Sequence, residues 1–314
     1  MSLPLSPPLQ PQLARSRTSL PTGDEWAYEP KWDGFRALAF VDGADIHLQS
    51  RNGKPLTRYF PEVILPEGRY VIDGELVIRT ADGHEEFDRL SQRIHPAASR
   101  IAKLSVEMPA TFVAFDLLAL DDEVLLERPY AERRAALEAF VADPIELTPM
   151  VATAEEAEQW LHSAEGVMAK EVAAPYLPGE RTGMVKIKRV RTIDAVVMGW
   201  RPGKAERTVG ALILGLYTPE GDLREVGHSS GFTAKQKREL VDELAPYETG
   251  ERGSGEPSRW SGGRDLEWVR LRPELVVEIT FDHVSSGRIR HGTKVQRWRD
   301  DKAPTDCTVD QLDG

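Results

Sequence analysis

Glu29-Pro30-Lys31-Trp32-Asp33-Gly34-Phe35-Arg36 sets a lysine directly after a proline, two residues ahead of an Asp-Gly pair and five ahead of an arginine. Pro30 fixes the backbone just before the lysine. Asp33-Gly34 has the composition of a tight turn, which would reverse the chain and let Lys31 and Arg36 face one pocket. A lysine amine is a good nucleophile only when neutral, and its ordinary pKa of about 10.4 keeps it charged in water. Burial or neighbouring cations lower that value. Taken alone, the octapeptide also fits a surface hairpin whose charges meet only water, because short patterns recur by chance.

Outward from this stretch, short apolar runs bounded by Gly, Asp or Pro predict strands at Phe35–Phe40, Asp45–Gln49, Tyr70–Ile78, Thr111–Leu118 and Ala195–Trp200. Helices are expected at Phe87–Ile94, at Tyr130–Val141 behind Pro129, and at Thr153–Ser163 and Thr233–Leu244, each of the last two with a Thr N-cap. Beyond residue 190 the pattern becomes strand-rich. Gly210–Thr218, Leu223–Ser229, Trp268–Leu271 and Leu275–Phe281 join Ala195–Trp200 as five short strands around one helix, as in an OB-fold barrel that binds oligonucleotides. With 314 residues and roughly 150 per domain, the reading is a mixed α+β domain over 1–190 and a small β-barrel over 191–314. The hinge would lie near Lys188–Ile193.

A net charge of −11 argues against binding a polyanion, but its distribution is uneven. Residues 121–165 carry a local −9, residues 186–207 a local +5 and residues 281–302 a local +3. A phosphate backbone responds to the local field rather than to the sum. The acidic block reads as a solvated helical surface and the basic blocks as anion sites. Gly287-Arg288-Ile289-Arg290-His291-Gly292 is either a phosphate-contacting loop or an ordinary hairpin. One cysteine, Cys307, excludes an intrachain disulfide and suits a reducing cytoplasm. The start, MSLPLSPPLQPQL, has neither a basic n-region nor a long apolar run, which excludes a signal peptide or membrane anchor there. Its prolines predict an extended lead-in. The sequence has no zinc-type Cys/His cluster and no P-loop, and His162, His228 and His283 read as structural.

Further short motifs follow the octapeptide. They are Ser50-Arg51-Asn52-Gly53, Asp73-Gly74-Glu75-Leu76, Phe115-Asp116-Leu117-Leu118, Glu165-Gly166-Val167-Met168-Ala169-Lys170, Lys186-Ile187-Lys188 and Arg297-Trp298-Arg299-Asp300-Asp301-Lys302. In this order and spacing they resemble the covalent nucleotidyltransferases: ATP-dependent DNA ligases, RNA ligases and capping guanylyltransferases. The resemblance runs from about Glu25 to Leu312. It is greatest to the bacterial ATP-dependent DNA ligases of the stand-alone ligase C type, and to the ligase domain of ligase D.

The resemblance implies an α+β adenylation (nucleotidyltransferase) domain with antiparallel sheets, followed by a C-terminal OB-fold β-barrel. It implies that Lys31 attacks the α-phosphate of ATP, that Glu29 accepts from the adenine amino group, and that Arg36 and Arg51 hold phosphates. It places Glu75 near the ribose hydroxyls, Phe115 on the adenine face, and Glu165 as a ligand of Mg²⁺ (or Mn²⁺). Lys186 and Lys188 alternate on a strand and so share a face. The resemblance turns both towards the AMP phosphate, where they would stabilise charge and lower the pKa of Lys31. Arg299 and Lys302 would orient pyrophosphate as it departs. Read without the resemblance, Glu75 is a solvated strand residue, Phe115 a core aromatic, and the lysine pair a charged edge strand.

Three steps are then expected: enzyme adenylylation, AMP transfer to a 5′-phosphate, and attack by a 3′-hydroxyl. The partner would be nicked double-stranded DNA, gripped in a salt-sensitive way by a monomer without the helical DNA-binding domain of larger ligases. A repair primase-polymerase would be the helper, by analogy only. The competing readings are an RNA ligase and a non-catalytic OB-type binding module.

Overall fold

The computed structural model describes residues 3–80, 83–141, 143–189, 191–255, 266–281, 284–285, 287–289 and 293–312. The chain divides into two compact units, Met1–Arg189 and Val190–Gly314.

The first unit is built on two sheets. One has the order β1-β10-β9-β2, from β1 (Arg15–Arg17), β2 (Trp26–Pro30), β9 (Gly166–Glu171) and β10 (Met184–Lys188). The other has the order β4-β3-β5-β6-β7, from β3 (Phe35–Gly43), β4 (Asp45–Ser50), β5 (Gly68–Val77), β6 (Thr111–Leu120) and β7 (Glu123–Val124). The short β8 (Glu146–Leu147) lies parallel beside β6. All other pairs in this unit are antiparallel except β1 with β10.

The second sheet is apolar on both faces, which is why Ala37–Val41 is a continuous apolar run rather than an alternating one. Ala37, Ala39 and Val41 join one core with Leu48, Ile72, Phe112 and Leu137. Leu38 and Phe40 join another with Val71, Leu118 and Tyr176. The outer face of the first sheet, with Tyr28, Val167, Ala169 and Ile187, is covered by Ala157, Trp160 and Leu161.

Helices cover these layers: α1 (Phe87–Ser91), α2 (Ala98–Glu107), α3 (Tyr130–Phe140), α4 (Ala154–Ala157) and α5 (Trp160–Ser163). The single helix expected at 153–163 is two short ones, although Thr153 does cap the first by accepting from the Glu156 amide. No short motif announced α2. In α3, Tyr130, Arg133, Arg134 and Leu137 are buried at helical spacing.

The Asp33-Gly34 turn is not a hairpin turn. β2 and β3 belong to different sheets, so residues 31–34 are the crossing between them. Gly34 is needed for close approach instead: a Cβ there would stand 2.2 Å from the Leu76 carbonyl oxygen.

The second unit is a curled antiparallel sheet. β11 (Arg191–Pro202), β12 (Val209–Tyr217) and β13 (Leu223–Ser229) lead to α6 (Ala234–Leu244). β14 (Glu248–Gly255), β15 (Leu266–Leu271) and β16 (Val276–Phe281) follow, then the hairpin β17 (Val284–Ser285) with β18 (Arg288–Ile289), and last β19 (Lys294–Trp298). The five expected strands are present, and β14 and β19 join them in one sheet among the described residues. The long β11 splits its far edge: Arg191–Val196 pairs with β16, and Gly199–Trp200 with β15. α6 opens with a full Thr233/Gln236 capping box. Of the basic loop, Arg288 pairs with Glu225 at 2.6 Å, while Arg290, His291 and Gly292 lie outside the described residues, as does His283. Among the described residues no helix is long and apolar enough to cross a membrane.

Candidate active site

Strand register assembles the first wall of the site. β2, β9 and β10 lie side by side, so residues in line across them share a face. Ala27, Lys170 and Met184 form one rung, and Glu29, Met168 and Lys186 the next. The Lys31 amide donates to the Gly166 carbonyl at 2.9 Å, and Gly166 pairs with Lys188, which makes the third rung. Lys170, Met184, Glu29, Met168, Lys186 and Lys31 all line one pocket. Alternate residues, such as Tyr28, Ala169 and Val185, turn to the other face and into the core.

The second sheet supplies the opposite wall. Arg36 pairs with Glu75 and Leu38 with Asp73, so these polar groups continue the face that carries Leu38 and Phe40. Arg36, Glu75 and Phe115 line the pocket together with the exposed Arg51. The first unit therefore brings together Lys31, Glu29, Arg36, Arg51, Glu75, Phe115 and Lys186.

Lys31 is 19% exposed and makes an ion pair with Glu165, whose other oxygen lies 3.4 Å from Lys188 Nζ. Burial lowers the Lys31 pKa below the ordinary lysine value, and Lys188 and Lys186 push the same way, against Glu75 and Asp33. The amine is thus biased towards its nucleophilic form. Burial pushes the Glu75 carboxyl up to about 8, against the pull of Arg36 and Lys31.

Two of the expected site residues are already engaged within the protein. Arg36 is not a free phosphate fork. Its Nε donates to Asp73 Oδ1 at 2.8 Å and its Nη2 to Oδ2, and its guanidinium lies 5.0 Å from the Phe115 ring centre. Burial works against its charge, but Asp73 overrides this and holds the pKa above the ordinary arginine value. Arg299, in the second unit, is held by Asp301 at 2.8 and 2.9 Å, by Asp194 at 2.9 Å and by Glu278 at 3.4 Å. Its guanidinium therefore ties the 297–302 segment to β11 and β16. Lys302 follows on the same segment and is half-buried.

Glu29 is 2% exposed, already accepts from Tyr130 and from Arg134, and forms an ion pair with Lys170 at 2.8 Å. Its remaining acceptor capacity is small, because a carboxylate has about four lone-pair positions. Lys170 also donates to the Phe115 carbonyl at 3.1 Å and stands 4.9 Å from that ring's centre. Behind it, Asp116 and Arg133 form a buried fork at 2.8 and 2.9 Å.

Reading the sequence for motifs missed Lys170, Tyr130, Arg133, Arg134, Asp73 and Tyr176. The pattern held one signal for the arginines. They fall at the same helical spacing as Tyr130 and Leu137, inside an otherwise acidic stretch. Asp73, like Lys170, stood within a quoted motif, but its burial depends on a partner distant in sequence.

Comparison with known proteins agrees with this geometry. Residues 11–188 match the family described as ATP dependent DNA ligase domain, and residues 205–302 the ATP dependent DNA ligase C terminal region. DNA ligase C1 of Mycolicibacterium smegmatis is 46% identical, over 100% of this chain and 96% of that protein. The crystal structure of the ligase domain from M. tuberculosis LigD is 30% identical, with a TM-score of 0.54, covering 96% of this chain and 98% of that one. A mycobacterial DNA ligase D complexed with ATP and MES is 29% identical at the same TM-score and coverage. The matched regions hold the lysine pocket in the first unit and the Arg299 segment in the second, and the chain belongs to the ATP-dependent DNA ligases.

Proposed function

We propose that Lys31 is the residue through which this ligase takes AMP from ATP, and that the enzyme seals 5′-phosphate/3′-hydroxyl nicks in duplex DNA. The observation that carries this reading is the rung that sets the Lys31 amine on the wall of a pocket closed by Phe115, with Glu165 and Lys188 beside it. The neutral amine would attack the α-phosphorus. A nitrogen–phosphorus bond forms, the bond to pyrophosphate oxygen breaks, and the amine gives up a proton. Glu165, already paired with Lys31, is placed to take that proton or to hold the ammonium until ATP arrives. AMP then passes to the 5′-phosphate of the nick, and the 3′-hydroxyl displaces it.

The other pocket residues take roles from their positions. Phe115 offers a face to adenine, and base–aromatic stacking is worth roughly 1–3 kcal/mol. Glu29, with Lys170 behind it, faces the base edge, where one free acceptor position suits the adenine amino group. Glu75, at the floor beside Arg36, suits a ribose hydroxyl. Lys186 and Arg51 line the mouth as phosphate contacts. Lys302 is the candidate to orient pyrophosphate, and Arg299 shapes its segment.

Mg²⁺ fits this donor set. Among the described residues no group of three or more His, Cys, Asp or Glu could hold a metal ion. Mg²⁺, however, is usually held by one or two carboxylates plus substrate phosphates and water, and Glu165 would supply a carboxylate. When bound, the ion would draw charge from the phosphate oxygens.

DNA repair, with a primase-polymerase as partner, is the setting we infer from the likeness to LigD, named a multifunctional non-homologous end joining protein in M. smegmatis. Incubation with ATP labelled on the α-phosphate should label the protein, and Lys31→Ala should abolish the label. An unlabelled wild-type protein, or faster sealing of nicked RNA than of nicked DNA, would overturn the reading.

A further inference from the structure

The expected lead-in at the N-terminus is a strap bound along its length to the first unit. Leu3 is buried, and Leu5 and Leu9 pack with it against Leu38, Phe40, Val71 and Leu118. The fully buried side chain of Gln49 clasps the Leu9 backbone from both sides: Leu9 N donates to Gln49 Oε1 at 3.0 Å, and Gln49 Nε2 donates to the Leu9 carbonyl at 2.6 Å. The Leu13 amide donates to the Glu180 carbonyl at 2.7 Å, and Arg181 Nη1 to the Ala14 carbonyl at 3.1 Å. The strap ends as β1, whose Ser16 pairs with Lys186. Leu13 and Ala14 line the same pocket as Lys31 and Phe115.

At Gln12 the strap joins a buried relay. The Gln12 amide donates to Tyr176 Oη at 2.9 Å, and Tyr176 Oη donates to Asp73 Oδ2 at 2.6 Å. Asp73, fully buried, holds Arg36 by two bonds, and Arg36 lies over Phe115. A phenol has one proton to give. Since Tyr176 gives it to Asp73, its oxygen is left as acceptor for the strap. The phenol thereby fixes which way the Asp73 carboxylate, and with it the guanidinium fork, presents itself to the pocket.

We propose that the strap is a working wall of the ATP pocket and that Tyr176, held by Gln12, is a positioning residue that sets Arg36 against Phe115 for nucleotide binding. This rests on the reading of the pocket as the ATP site. Loss of the hydroxyl leaves Asp73 Oδ2 short of one donor in a buried setting, where a hydrogen bond to a charged group is worth a factor of roughly ten to a hundred. Part of that loss is expected in ATP affinity, because Arg36 turns to compensate.

The test is the rate of lysine–AMP formation against ATP concentration, on the full chain with α-labelled ATP, together with thermal unfolding. Tyr176→Phe removes only the hydroxyl; Gln12→Pro removes the amide donor at the strap together with the side-chain bond to the Thr182 carbonyl. Each should raise KM for ATP about tenfold and leave kcat within about twofold. The double variant should do little more than the worse single one, since both cut the same chain. An unchanged KM in Tyr176→Phe, or a fall in kcat alone, overturns the inference while the reading of the site stands. A wild-type protein that takes no label removes both.

Discussion

Gly34→Ala puts a methyl group where the crossing between the sheets touches β5. The added Cβ would lie 2.2 Å from the Leu76 carbonyl oxygen, 2.8 Å from Glu75 Cγ and 3.0 Å from Val77 Cγ1. A relaxed carbon–oxygen contact is about 3.3–3.6 Å, so the two backbones must part by roughly 1 Å. Neither side yields easily. Phe35, the next residue, is paired with Leu76, and Leu76 is fully buried. Overpacking of this kind costs about 1–3 kcal/mol. At about 2–4 °C per kcal/mol for 150–250 residues, the first unit should melt roughly 2–12 °C lower. The larger effect is on chemistry, because Lys31 is three residues away on the same crossing. A misplacement of about 1 Å costs on the order of 100-fold in rate. The assay is the single-turnover rate of label transfer from α-labelled ATP, measured well below the melting temperature of the variant. A variant that melts lower yet labels at the wild-type rate would show that Gly34 serves packing alone, and that the crossing does not set the position of the amine.

Three other outcomes are expected. The rate of lysine–AMP formation should rise with pH through an inflection below the ordinary lysine value of about 10.4. Lys188→Met removes a like charge that lowers the Lys31 pKa, so the inflection should move to higher pH; an unmoved or lower inflection would count against a cationic pocket. The Glu75 carboxyl, raised to about 8 by burial, titrates above its unfolded value. Its contribution to stability is therefore full below about 4.3 and lost as pH rises through about 8. Glu75→Gln should accordingly gain in melting temperature relative to wild type between pH 5 and pH 9, and an equal difference at both would refute the buried-carboxyl reading. Arg133→Ala leaves Asp116, 3% exposed, without its fork. Breaking such a pair costs about 3–5 kcal/mol, read as a drop of roughly 6–20 °C, and a loss below 2 °C would mean the pair is not formed.

The family was legible because its motifs are local. A lysine behind a proline, a strand with lysines two apart, and carboxylates at strand ends are written in runs of a few residues. So was the alternation that puts Lys186 and Lys188 on one face, because strand period is a backbone property. The apolar runs marked β3, β4, β5 and β6 of the second sheet, but not the two-residue β7 and β8 at its edge. β1, β2 and β9 were not legible as strands. β1 is three exposed polar residues held by β10, β2 holds the charged end of the octapeptide, and β9 stood inside a motif that drew attention for its glutamate.

Sequence determined which family this protein belongs to and which residues are the candidates for its phosphate chemistry. Tertiary structure decided how each group is used. Glu29 and Arg36 look alike in sequence, both charged residues flanking Lys31, yet burial commits one to Tyr130, Arg134 and Lys170 and the other to Asp73. A turn signal at Asp33-Gly34 became a crossing because the two flanking strands found partners in different sheets, far along the chain. The proline-rich start became a pocket wall for the same reason. A buried charge or an edge strand takes its role from whatever satisfies it, and that partner lies tens to more than a hundred residues away, beyond the reach of any local pattern.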